Sequence, residues 1–294
     1  MSSIAGPPLE GRIPAVHHPA PARPGPFRLR VPSPPGLGAG APSRLRLPAL
    51  ARLHVAGVFV ERPGVISVYM VGENLGALPF EPGQSFRWHF LTRRLWQTSL
   101  ALPLSAPIWE DTLRVTVRTL GGRARPLRRL RPGTRVVAVG PFGGLTGRSR
   151  TRRKVLLLAA GMGVAPLRAL FETLPGGPGD VTLVYRARSS TDLLFTHELE
   201  AIAQRRQRYL HYLLGPEDGP GGPLTPGRLL ELVPDLAEHD VYLCGPAEMT
   251  AASVTALLAA GVPGSASAPS GPPARDRRAH PRGAGTCRYA PGIA

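Results

Sequence analysis

Residues 154–166, KVLLLAAGMGVAP, constrain this chain more than any other stretch. One charge, Lys154, is followed by aliphatic residues and two alanines with no polar alternation. An apolar run of this kind, bounded by glycine, predicts a strand buried on both faces of a parallel sheet. The run breaks into Gly161-Met162-Gly163, and Pro166 stands where a helix can begin. Strand, glycine turn and helix start together let backbone N–H groups approach a phosphate. Gly161 and Gly163 are therefore candidate cofactor residues. The third glycine of the dinucleotide fingerprint is absent, so a plain tight turn is the competing reading.

The periodicity on either side divides the chain. Before residue 150 the signals are short strands with turns. LHVAGVFVE and GVISVYMVG are separated by Arg62-Pro63-Gly64, and Glu81-Pro82-Gly83-Gln84 precedes SFRWHFL. LRVTVRTL alternates with period 2, which puts Leu113, Val115 and Val117 on one face. Arg131-Pro132-Gly133-Thr134 then leads into RVVAVG. Such strands with few helices between them predict a six-stranded antiparallel barrel over residues 51–150. From Lys154 onward, strands KVLLLAA, DVTLVYR, YLHYLLG and DVYLCG alternate with helical stretches near 166–174, 192–206, 226–233 and 247–260. Asp192 is the expected cap of the second helix, with Glu198 and Glu200 along it. Alternating strand and helix predicts a parallel-sheet domain over 151–262. Its ligands should bind at the carboxyl ends of the strands, where both Gly161–Gly163 and Cys244-Gly245-Pro246 fall.

Composition bounds the rest. Residues 1–50 hold 12 of the 35 prolines and almost no acid, and 263–294 have no helical or strand period. Neither can bury enough surface to offset its ordering entropy, so both are expected to be disordered tails. The net charge of +17 comes almost wholly from arginine, Lys154 being the single lysine. It favours anionic partners, but there is no recognition-helix signature or basic–aromatic interleaving, so nucleic acid is not expected. No run approaches the ~18 uncharged apolar residues that would span a membrane. No secretory leader is evident either, so a cytoplasmic protein, or one at the cytoplasmic face of a membrane, is expected. Cys244 and Cys287 give neither a disulfide framework nor a metal cluster.

The order EPGQ, GPFGG, AAGMGVAP, a YRAR strand end and LCGP resembles the ferredoxin–NADP reductase superfamily, most closely the FAD- and NAD(P)-binding module of ferric-reductase-like oxidoreductases. The resemblance covers residues 51–262. It implies that the barrel binds FAD and the sheet NAD(P)H, with electrons leaving to an external acceptor. That acceptor would be a ferric chelate, another redox protein, a membrane haem protein or oxygen. It further implies that Gly161, Gly163 and Pro166 hold the pyrophosphate and that Cys244, Gly245 and Pro246 contact the nicotinamide ribose. Arg186 and Arg188 end the strand where NADH-selecting sites keep a carboxylate, and arginine accommodates a 2′-phosphate instead. NADPH is therefore expected, with NADH as the alternative.

The flavin half departs from the family pattern. Where relatives place a His or Arg, a Pro, an aromatic and a Ser or Thr, this chain reads LALPLSAP. One register puts Leu100, Ala101, Leu102 and Pro103 in those places; the other puts Leu102, Pro103, Leu104 and Ser105. The second register makes Leu104 and Ser105 flavin contacts, with the Ser105 hydroxyl near flavin N5; the resemblance implies catalytic positions for Ser105 and, on the nicotinamide side, Cys244. Val117 and the Gly121-Gly122 turn would complete the flavin side, with Arg123 replacing neutral phosphate donors. A lost aromatic pair and a lost phosphate hydrogen bond together cost ~2–4.5 kcal/mol, about 30- to 2,000-fold in FAD affinity. A degenerate relative that binds nucleotide without turnover is the alternative function.

Overall fold

Turn chemistry and alternation build the first half. Strands β1 (His54–Arg62) and β2 (Val65–Val71) form a hairpin through Gly64, whose φ of +81° demands glycine. β2 also pairs antiparallel with β5 (Thr112–Arg118). A second antiparallel sheet has β3 (Ser85–Phe90) between β4 (Leu100–Pro103) and β6 (Val136–Phe142). Bridges between Leu104 and Val115 and between His54 and Arg135 join the two sheets at both seams. Inside lie Val68, Met70, Phe86, Trp88, Phe90 and Val115, all fully buried. The Trp88 indole N–H donates to the Leu102 carbonyl at 3.0 Å, so the ring is satisfied inside the barrel. This is the expected six-stranded antiparallel barrel.

The computed structural model describes residues 52–77, 80–143, 145–215 and 224–262, together with the backbone of 286–290. These all belong to one compact unit, Arg44–Ala294. The expected tails, 1–50 and 263–294, lie outside the described residues except for 286–290.

The second half is a parallel sheet of β7 (Lys154–Ala160), β8 (Val181–Ala187), β9 (Tyr209–Leu214) and β10 (His239–Gly245), in the order β10-β7-β8-β9. Helices α1 (Val164–Thr173), α2 (Thr196–Arg206), α3 (Pro226–Leu232) and α4 (Ala247–Ala259) follow the strands in turn. β7 is central, and its alternate residues feed two different cores. Leu157 packs with Leu167, Phe171 and Leu183 on one face. Leu156 and Leu158 pack with Leu229, Leu243 and Leu257 on the other. That double burial is why KVLLLAA carries no polar alternation.

Two elements differ from the sequence expectation. α2 begins at Thr196 rather than 192, because Asp192 pairs with Arg62 of the barrel at 3.0 Å instead of capping the helix. Phe195 takes the N-cap place in a left-handed conformation, φ +60°. Within the stretch read as a tail, Thr286–Ala290 forms β11, an antiparallel edge strand on β10. Five residues at an edge leave no period long enough to read.

Asp240 fixes the entry from the barrel into the sheet. Fully buried on β10, its carboxylate accepts from the N–H of Thr151 at 2.5 Å, the N–H of Arg152 at 2.7 Å and the Thr151 hydroxyl at 2.9 Å. Asp240→Ala strands those donors. We expect a loss of about 3 kcal/mol, read as a lower urea midpoint at unchanged slope. An unchanged midpoint would show that water replaces the carboxylate.

Candidate functional site

The carboxyl ends of β7, β8 and β10 converge on one edge of the sheet. β7 passes at Gly161–Gly163 through a 3-10 turn into α1. Gly161 has φ +51°, and a side chain there would meet nothing within 4 Å. The turn is thus open toward solvent where a ligand would approach. Gly163 is required by packing as well. A Cβ at Gly163 would lie 1.9 Å from the Cys244 carbonyl oxygen and 2.8 Å from the Gly245 nitrogen. Gly163 exists so that α1 can start directly against the end of β10, a long-range contact that no local pattern reveals. Pro166 is buried in the first turn of α1, where its missing N–H costs nothing.

Tyr185 of β8 ties this turn to the next segment. Its hydroxyl donates to the Gly161 carbonyl at 3.2 Å and accepts from the Leu194 N–H at 3.2 Å. Burial pushes its pKa up to about 12, so it stays a donor at neutral pH. Gly245 is pressed against Ala160 and Met249, and exposed Pro246 opens α4. Cys244 lies beside Ala159 in register and is buried. It is disulfide-bonded and so presents no thiol. The backbone register of β11 sets Cys287 opposite it. This corrects both the absence of a disulfide and the catalytic place expected for Cys244. Arg186 is buried and already engaged, whereas Arg188, one step past the strand, is exposed. Of the two, Arg188 is free to meet a ligand in solvent.

On the barrel, the flavin expectations fare unevenly. Leu104 is 1% exposed and belongs to the barrel core, as does Val117. Neither side chain reaches out to cover a ring. Ser105 is fully buried, and its hydroxyl is fully used: it donates to the Arg114 carbonyl at 3.3 Å and accepts from Arg114 Nε at 3.1 Å and the Thr116 hydroxyl at 2.8 Å. Leu100 and Leu102 of β4 are only partly buried, and Ala101 between them is exposed. Gly121 and Gly122 have φ of +89° and +64°, with open space at both Cβ positions. They start the 3-10 stretch Gly122–Arg129, from which Arg123, Arg125, Arg128 and Arg129 are exposed. A cleft of about 410 Å³ opens beside Leu104, walled by Phe80, Pro82, Pro107, Ile108 and Glu110.

Sequence reasoning missed Arg114. It lies on the face of β5 that alternation assigns to solvent, yet it is 4% exposed. Its guanidinium grips Glu198 of α2 at 2.8 and 3.0 Å, donates to the Ser105 carbonyl at 2.8 Å and lies 4.7 Å from the centre of the Phe195 ring. Burial pushes the Glu198 carboxyl up, but Arg114 and Arg168 outweigh it and hold it below its ordinary value. The available signal was the facing strand: β2 sets Ser67 and Tyr69 opposite Thr116 and Arg114, a matched polar stripe across the pair.

An antiparallel barrel feeding a parallel sheet, with glycine turns at the strand ends, is the architecture of ferredoxin reductase-like folds. Residues 157–255 match the oxidoreductase NAD-binding domain family. The ferredoxin reductase component of 3-ketosteroid-9-alpha-monooxygenase from Mycolicibacterium smegmatis is 31% identical over 194 residues, 63% of this chain and 54% of that protein. The chain thus spans about half the length of that relative. The flavohem-like FAD/NAD-binding domain of nitric oxide dioxygenase from Vibrio cholerae superposes with a TM-score of 0.59 at 24% identity, over 72% of this chain and 94% of that one. A ferredoxin NADP+ reductase from Neisseria gonorrhoeae, solved with bound FAD and NADP, gives 0.57 at 16% identity, over 78% and 94%. The chain shares the fold of these reductase modules, and its second half carries the match to the NAD-binding domain family.

The two turn glycines should separate cleanly. Gly163→Ala drives a methyl into the Cys244 backbone, so it should abolish cooperative unfolding or expression of soluble protein. Gly161→Ala meets only the left-handed backbone cost of about 1–2 kcal/mol and should fold. Calorimetry on both variants tests this, and equal stability would contradict the close approach.

Proposed function

We propose that this chain passes electrons from NADPH, with NADH as the alternative, through FAD to an external redox protein. The observation that carries the reading is the open Gly161 turn at the sheet's carboxyl edge, with exposed Arg188 just past the end of the next strand. The residues present fit both groups by charge and space. Gly161 leaves room for a pyrophosphate, and Arg188 can donate a fork of N–H bonds to a 2′-phosphate. On the barrel, Gly121 and Gly122 leave their backbone uncovered next to four exposed arginines, which suits a second anionic phosphate pair. Expected proximity of Pro166, Gly245 and Pro246 to the nicotinamide half belongs to the same reading.

A bound FAD would supply the conversion between two-electron donation by a nicotinamide and one-electron delivery to the acceptor, its phosphates held by Gly121, Gly122 and the arginines beside them. The chain needs no acid–base pair for this. Its task is to hold two ring systems at about 3–3.5 Å and to exclude water between them, and orientation supplies most of the rate. The relatives named as reductase components of oxygenase systems support a protein acceptor. No helix among the described residues is long and apolar enough to cross a membrane.

A second reading is favoured by a specific observation. Leu104 lies in the core and the Ser105 hydroxyl is spent, so two of the places expected to hold flavin offer no side-chain contact. A nucleotide-binding relative that holds FAD weakly or not at all and does not turn over fits this equally.

Titrating FAD into the purified protein, then adding NADPH, separates the two. We expect protein that purifies largely free of flavin, takes up added FAD and then oxidises NADPH with ferricyanide as sink. No NADPH oxidation at saturating FAD would leave the second reading. Arg188→Ala should weaken NADPH by about 1.5–3 kcal/mol and leave NADH nearly untouched. Equal loss for both would show that Arg188 does not read the 2′-phosphate.

A further inference from the structure

Two ion pairs join the barrel to one short stretch of the sheet domain. Arg62 and Arg114 come from the barrel, and their partners Asp192 and Glu198 both lie on the stretch that follows β8. The same stretch holds Leu194, whose N–H is bound by Tyr185, and Tyr185 also binds the Gly161 carbonyl. One short run of chain thus touches the barrel at one end and the nucleotide turn at the other.

The Arg114 contact is built for direction. The paired Glu198 oxygens fix the guanidinium plane, the Phe195 ring covers its face, and the Ser105 carbonyl holds its inner edge. Glu198 is held in turn by Arg168 at 2.8 Å. Phe195 adopts a left-handed backbone, φ +60° and ψ 25°, which a bulky residue keeps only when its surroundings over-determine it. Here the stacked arginine supplies that constraint. A single ion pair meant only to add stability needs none of this.

We propose that Glu198, with Phe195, is a positioning residue. Its grip on Arg114 sets the barrel against the sheet so that nicotinamide and flavin meet at reacting distance, and Tyr185 carries the same constraint to the nucleotide turn. This rests on the electron-transfer reading given above. Neither residue touches the reacting atoms. A misplacement of about 1 Å costs on the order of 100-fold in rate when proximity is the main source of catalysis.

The test uses the full chain in Glu198→Gln and Phe195→Leu forms, reconstituted with FAD. Anaerobic stopped-flow mixing with NADPH measures flavin reduction directly. FAD and NADPH affinities are measured separately by fluorescence titration. We expect reduction at saturating NADPH to slow by about tenfold or more, with both affinities changed by less than about threefold. Glu198→Asp should recover part of the rate. Unchanged reduction in a folded variant overturns the proposal, as does a loss explained wholly by weaker NADPH binding.

A second measurement needs no cofactor. Amide exchange at Leu194, and at Val164, whose N–H binds the Gly161 carbonyl, should quicken by about tenfold in both variants. Unchanged exchange at Val164 means the grip does not reach the nucleotide turn. If Glu198→Gln fails to fold, Phe195→Leu, which keeps the ion pair, decides by the same readings. If the wild type reduces no flavin, the electron-transfer reading fails and the hydride part of this proposal falls with it. The exchange data still decide whether barrel and turn are coupled.

Discussion

The bidentate contact between Arg114 and Glu198 is the interaction on which the arrangement of the two halves depends. A charge taken out of water is costly, and a buried ion pair is weak evidence for stability on its own. What this pair supplies is a defined geometry. Every donor of the Arg114 head that faces inward finds an oxygen, from Glu198, Ser105 or Tyr69. The hydroxyls of Ser67, Thr116 and Ser105 continue the network along the barrel wall. Because the Glu198 carboxyl is held below its ordinary value, its contribution is fully present above the pKa of the unfolded chain. It is lost only as pH falls through the lower, folded value. The seam is therefore insensitive to pH near neutrality.

The nucleotide edge has a different kind of constraint, one of space. β10 and the start of α1 approach so closely that only glycine fits at position 163. That contact brings the end of β10, at Cys244 and Gly245, against the turn that contains Gly161. The close approach is purchased with the central position of β7, whose two apolar faces hold α1 and α4 on opposite sides of the sheet. The site is thus a consequence of double burial, the same property that makes residues 154–166 conspicuous in the sequence.

What could be read from the chain and what could not divides by range. Local signals were legible: the apolar run of β7, the alternation of β5, the turns at Pro63-Gly64 and Pro82-Gly83. Long-range partners were not. Alternation put Leu113, Val115 and Val117 on one face, which is the barrel's buried one, but gave no sign that Arg114 on the other face is buried against Glu198 and Phe195. Asp192 looked like a cap because a cap is a local use for aspartate, and Arg62 lies 130 residues away. The packing demand on Gly163 is hidden for the same reason. The flavin stretch left two registers open: with proline at 103 and leucine on both sides, nothing local says which leucine turns inward, and the structure turns Leu104.

The stretch after β8 shows how the seam and the nucleotide edge meet in single atoms. The Ser189 hydroxyl donates to Asp192 at 3.1 Å, while Asp192 holds Arg62 of the barrel. Arg188, beside Ser189, is the exposed cation expected to read a 2′-phosphate. The Ser189 hydroxyl also meets the Thr191 hydroxyl at 2.8 Å, so the turn after Arg188 is closed on itself as well as tied to the barrel. The strand end that carries Arg188 is therefore held to Arg62 through two short-range contacts, Ser189 to Asp192 and Asp192 to Arg62, and its position depends on the seam.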